Sequence, residues 1–158
     1  MHWILRPASH RTAFFRGIHA ALKPNGLFVF EMGGMGNVAE VVATLLSVVS
    51  ARVGMEKARE ANPWFFPDEE WMREMLEETV GGFKVERIER EYRPTRMDRG
   101  GVEGFVGLMG RGFLDGVGEV GRREAEREAC EVLKVVCESP GGGHWLGFVR
   151  LRAIVRKI

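Results

Sequence analysis

Leu27-Phe28-Val29-Phe30 is the segment that most restricts what this chain can become. Four apolar residues in a row, without polar alternation, suit a strand covered on both faces. The run follows directly on a helical pattern. Phe14, Phe15, Ile18, Ala21 and Leu22 recur at helical spacing, Ser9 is placed to cap, and Pro24-Asn25-Gly26 supplies a tight stop. Helix, turn and buried strand in succession predict an α/β layer fold.

Beyond the strand, Gly33, Gly34 and Gly36 loosen the backbone, and Asn37 is placed to cap a helix whose stripe is Val38, Val41, Val42, Leu45, Leu46 and Val49. Glu56 to Asn62 is polar and mixed. Pro63-Trp64-Phe65-Phe66-Pro67 has proline at both ends, which places its aromatic cluster on a loop. Asp68 should cap the next helix, with Met72, Met75, Leu76 and Val80 facing inward and Gly81-Gly82 ending it. Phe83 to Tyr92 reads as a strand in which Ile88 breaks the alternation, so a bulge or an edge position is expected, and Arg93-Pro94-Thr95 should close it. Two helical segments follow, Gly101 to Leu114 and Glu119 to Glu138, the second with Ala125, Ala129, Val132, Leu133 and Val136 as its apolar face. Trp145, expected in the core, opens a long last strand to Val155, with Arg150 and Arg152 on one face and Val149, Leu151 and Ala153 on the other.

Composition narrows the function classes. The chain has 158 residues and 23 Lys plus Arg against 22 Asp plus Glu, so no global field recruits nucleic acid or an acidic bilayer. The apolar start is too short for a signal-peptide core, and Val41 to Val53 is too short and too interrupted to span a membrane, so a soluble, cytoplasmic protein is expected. Cys130 and Cys137 fall two turns apart on a predicted helix, about 10 Å by rise and beyond disulfide reach. Reduced thiols fit that compartment. His2, His10, His19 and His144 make no metal-ligand pattern, and no nucleophile elbow is present, so neither a metal site nor a catalytic residue is expected.

Gly34-Met35-Gly36-Asn37-Val38-Ala39 has the form of a dinucleotide fingerprint, with Glu56 about the right distance downstream. A nicotinamide dehydrogenase would be its consequence. The context opposes it, because the second apolar strand that should end in the acidic residue has no counterpart in Arg52 to Asn62. Glycines serving a sharp strand-to-helix turn are the favoured reading.

Several segments in order carry a more specific signal: His2-Trp3-Ile4, Leu22-Lys23-Pro24-Asn25-Gly26 with its strand, Glu31-Met32-Gly33-Gly34-Met35-Gly36-Asn37, Pro63-Trp64-Phe65-Phe66-Pro67, Arg93-Pro94-Thr95, and Trp145 to Arg152. Together, over nearly the whole chain, they resemble the C-terminal half of a class I S-adenosylmethionine-dependent methyltransferase of the trans-aconitate methyltransferase kind. The resemblance implies a partial Rossmann-like sheet made of the family's strands five, six and seven with flanking helices. The last strand would lie between the other two and antiparallel to them. It also implies a single domain over residues 1–158, with a helical insertion at about 100–140. The family's glycine-rich cofactor motif and its acidic ribose-binding strand are absent from this sequence, so the chain is expected to be a truncated form, inactive alone.

By the same resemblance the cofactor is S-adenosyl-L-methionine, approached by His2 and Trp3, and the acceptor is a small molecule, a carboxylate being one class. Trp64 and Phe66 would wall the acceptor pocket, and Arg93 and Arg150 would take its carboxylate as bidentate partners. For each, ordinary packing or surface pairing is the alternative. The first of the three strands should carry an open apolar edge. Through it the chain would form a homodimer or pair with another methyltransferase chain. A non-enzymatic remnant that binds a partner by this edge is the alternative function.

Overall fold

The computed structural model describes residues 4–158, apart from the side chain of Val120. Helix α1, Ala8–Ala21, leads through the Pro24-Asn25 turn to strand β1, Leu27–Gly33. Helices α2, Ala39–Val53, α3, Met55–Ala61, and α4, Glu69–Arg73, follow; α4 runs on as a π-helix over Glu74–Val80. After strand β2, Phe83–Arg96, come helices α5, Gly101–Met109, α6, Arg111–Leu114, and α7, Gly118–Val136, and the chain closes with strand β3, Trp145–Lys157. The class is α/β, and the sheet order β1-β3-β2 puts the last strand in the centre, as expected. β1 pairs with β3 antiparallel, from Leu27 opposite Arg156 to Gly33 opposite Arg150. The pairs Arg156–Glu86 and Arg152–Glu91 show β2 and β3 running in opposite directions as well.

The chain divides into two compact units. One holds the residues up to Asn37, Trp64–Arg93 and Phe148–Ile158. On its inner face Phe30 and Met32 of β1, Phe83 and Val85 of β2, and Leu151, Ala153 and Val155 of β3 pack with Phe15, Met72 and Leu76. Asp68 caps α4 as its sequence predicts, its Oδ1 accepting from the Trp71 N–H at 2.8 Å. In β2, Val85 and Ile88 both reach the core although three residues apart, while Glu86 meets Arg156 on the other face. One extra residue therefore sits in that stretch, the signature of a bulge on an edge strand.

The other unit, Val38–Pro63 and Pro94–Gly147, is helical. Val41, Leu45 and Val49 of α2 are buried, as are Val102 and Val106 of α5 and Ala125, Ala129 and Leu133 of α7.

Several expectations are corrected. Leu27 and Val29 are 46% and 65% exposed, so the apolar run is covered on one face only: among the described residues the helices of this unit pack against Phe28, Phe30 and Met32. Strand β2 runs through Arg93-Pro94-Thr95 to Arg96, because an edge strand has a side on which proline's missing N–H costs nothing. Glu56 to Asn62, which the sequence pattern assigned to no element, is mostly helix. Ser9 lies inside α1, which Pro7 begins with no side-chain cap. On α7 the buried stripe passes through Cys130 and Leu133, and this turns Val132 and Val136 outward. Trp145 is 42% exposed, at the outermost end of its strand.

Candidate functional site

At the carboxyl end of β1 the backbone turns through Gly33 to Val38. The Gly34 N–H donates to Val149 O at 3.0 Å, Met35 N–H to Pro67 O at 2.9 Å, Asn37 N–H to Gly34 O at 2.9 Å and Val38 N–H to Gly147 O at 2.9 Å. A dinucleotide site would need such amides turned toward a pyrophosphate. Here they hold the turn together, and a helix occupies Met55–Ala61 where the acidic strand belongs. The dehydrogenase reading has no site to rest on. Asn37, only 5% exposed, does not cap α2; its Oδ1 accepts from the Val149 N–H at 2.9 Å. Val38 takes the N-cap position in left-handed geometry, φ 45° and ψ 45°, a conformation that costs a β-branched residue roughly 1–3 kcal/mol. Its amide bond and its burial hold it there.

The aromatic loop is fastened to this turn. Beyond the Met35–Pro67 bond, Phe66 lies so close to Gly33 that a Cβ there would sit 2.7 Å from its ring. Trp64 stacks on Phe66 with centroids 6.0 Å apart and is itself 95% buried, its exposure being 5%. Phe65 is held separately: the Arg11 guanidinium lies 3.7 Å from its ring centre, and Trp71 meets it edge-on at 4.8 Å. Arg90 pairs with Glu69 and donates to Met35 O at 3.3 Å, so the loop, the turn and β2 brace one another.

Gly33 and Glu31 share the outer face of β1. Glu31 accepts from Arg152 at 2.7 Å and lies 3.8 Å from Arg150, while Arg152 also binds Glu91. The hydrogen bond from Arg152, opposed by partial burial and helped by the fields of Arg152, Arg150 and Arg93, holds the Glu31 carboxyl below the usual carboxylate range. Arg150 also lies over the Phe148 ring at 4.7 Å. Three arginines thus face two carboxylates. Toward the start of β1 the sheet borders a cavity of about 360 Å³ whose lining includes Val29, Glu31, Arg152 and Ile154, with Arg87 and Glu89 of β2. That volume is within the range of small-molecule sites.

Of the residues singled out by sequence, Phe66, Arg93 and Arg150 come together around Gly33 and Glu31. Trp64 stands behind Phe66, packed into the interior. His2 and Trp3 lie outside the described residues. Glu31 and Arg152, the centre of the cluster, were missed as site residues. The signal was available, because Glu31 is the one charge in an apolar strand and Arg152 alternates with Arg150. Among the described residues no three potential metal-binding side chains gather, and no helix is long and apolar enough to cross a membrane.

No protein-family model matches the chain. It is 33% identical over 159 residues, 99% of its length, to an uncharacterized methyltransferase of Schizosaccharomyces pombe, of which it covers 59%. A solved structure from Bacillus halodurans, named provisionally as a methyltransferase, aligns over 92% of this chain and 57% of that one at 12% identity and a TM-score of 0.45. By sequence the chain is thus related, over 99% of its length, to one methyltransferase, and it spans less than two thirds of that relative.

Proposed function

We propose that this chain forms the acceptor-side part of an S-adenosylmethionine-dependent methyltransferase for small carboxylate-bearing molecules, working in the cytoplasm. The observation that carries the reading is the 33% identity to a methyltransferase over the full chain. The arginine cluster at Glu31 supports the acceptor class. Methyl transfer needs an electrophilic methyl group and a nucleophile held in line, and positioning alone supplies much of the barrier reduction. No acid or base is demanded of the chain, and none is assigned. Arg150 and Arg93 would take an acceptor carboxylate, Phe66 would wall it on one side, and Trp64 would hold Phe66 in place.

The cofactor fits this stretch poorly. In the glycine turn before α2 the amides of Gly34, Met35, Asn37 and Val38 are already engaged by carbonyls, so they form no cradle for S-adenosylmethionine. Any hold on the cofactor would run through His2 and Trp3. Calorimetric titration separates the two assignments. Di- and tricarboxylates are expected to bind with saturable heat, about tenfold weaker in Arg150→Gln. Unchanged affinity in that variant would sink the acceptor assignment. S-adenosylhomocysteine is expected not to bind the chain alone, and micromolar binding would overturn the poor fit.

A further inference from the structure

Main-chain pairing between β1 and β3 ends with one bond missing. The register stops at Gly33 opposite Arg150, so the next pair would be Gly34 and Val149. At a bonded position of an antiparallel ladder, two facing residues exchange both N–H···O=C bonds. Gly34 gives only half of this. Its N–H donates to Val149 O at 3.0 Å, but its own carbonyl accepts from the Asn37 N–H at 2.9 Å as the turn closes. The Asn37 side chain supplies the other half, its Oδ1 accepting from the Val149 N–H at 2.9 Å.

Local sequence makes room for this substitution. A Cβ on Gly33 would sit 3.0 Å from Asn37 Nδ2 as well as 2.7 Å from the Phe66 ring, so glycine there admits the amide and the aromatic wall together. Among the described residues Asn37 is the only polar or charged side chain that is buried. Burial of such a group is costly unless it makes a specific bond, and here the bond completes the central strand. The bond also falls between two residues of the candidate site. Phe148 and Arg150 flank Val149, and the Arg150 guanidinium lies 4.7 Å from the Phe148 ring centre and 3.8 Å from Glu31. Arg150 stands at the last position that the main-chain register fixes. Ends of paired segments open locally more readily than their middles, and a built binding geometry tolerates only about 0.5 Å of misplacement.

We propose that Asn37 is a positioning residue of the acceptor site: it carries the sheet one bonded pair past the end of main-chain pairing and so holds Phe148 and Arg150 in the geometry that grips a carboxylate. The proposal rests on the reading of Arg150 as the partner of the acceptor carboxylate. It gives Asn37 no contact with the acceptor. Its effect on binding must therefore pass through Arg150.

Amide exchange read by NMR, with calorimetric titration of citrate as a tricarboxylate probe, tests this on the whole chain. Asn37→Leu, close in size but without an acceptor, should speed exchange at Val149 at least tenfold and weaken citrate binding about tenfold. Asn37→Asp keeps an oxygen at the same reach and should restore slow exchange. In an Arg150→Gln background, Asn37→Leu should change citrate affinity by less than about twofold, because nothing is left to position. A bond that only stabilises the fold would leave citrate affinity unmoved in Asn37→Leu, and direct contact with the ligand would add its loss to that of Arg150→Gln. Either result overturns the proposal, as does slow Val149 exchange in Asn37→Leu. Equal citrate affinity in wild type and Arg150→Gln overturns the acceptor reading itself, and this proposal with it. If Asn37→Leu does not fold, Asn37→Ser, too short to reach the Val149 amide, takes its place with the same expectations.

Discussion

Gly33 shows how one absent side chain shapes the candidate site. Its α-carbon faces Phe66 so closely that Gly33→Ala must move the ring or the strand end. The expected cost is about 1–3 kcal/mol, as for other overpacked positions, with a shift in tryptophan emission as Trp64 loses its stacked neighbour. At Glu31 the residue-scale effect is electrostatic. Its folded pKa lies below the ordinary value, so ionised Glu31 stabilises the fold above pH 4.5 and that contribution fades as pH falls through the lower folded value. Glu31→Gln should therefore lower stability at pH 7 and flatten its loss below pH 4.5, read from urea midpoints across pH. The cysteines behave as buried hydrophobes. Burial pushes Cys137 up to about 11 and raises Cys130 as well. Both should resist iodoacetamide at pH 8 in the native chain and react only on unfolding, as mass spectrometry would record.

At the scale of elements, what was legible followed local physics. Asp68 before two glutamates announced a helix start, and the structure places its carboxylate on the Trp71 amide. Asp68→Ala should cost about 1 kcal/mol, measured as a fall in the denaturation midpoint. The same logic failed at Ser9 and Asn37, because side-chain type fixes a cap only where the backbone arrives in the right direction. Pro7 starts α1 two residues early, and the Asn37 amide oxygen is claimed by the β3 backbone at Val149. Leu27-Phe28-Val29-Phe30 misled for another reason. An apolar run records that both faces prefer cover, and it cannot say whether the cover belongs to the same set of residues. The bulge in β2 was visible as a break in period, since the sequence shows parity directly.

At the scale of the whole molecule, each of the two units is assembled from separated stretches, and β2 and β3 each pass from one to the other, at Arg93–Pro94 and at Gly147–Phe148. Sequence periodicity reports neighbours along the chain, so it revealed the helices and strands but not this partition. It placed the arginine cluster only in fragments, because Glu31, Arg93 and Arg152 meet through sheet pairing across more than a hundred residues. The single domain expected from sequence makes a distinct thermodynamic claim. Three residues of each strand, Pro94–Arg96 of β2 and Trp145–Gly147 of β3, belong to the helical unit while the remainder of the same strand belongs to the sheet-bearing one, so the two strands tie the stability of both units together. Heat unfolding should then be one cooperative event. Helicity, reporting α2 and α7, and emission from Trp64 and Trp71 beside the sheet should lose signal at the same midpoint. Two midpoints separated by more than a few degrees would show that the helical and sheet-bearing units are independent domains sharing two strands.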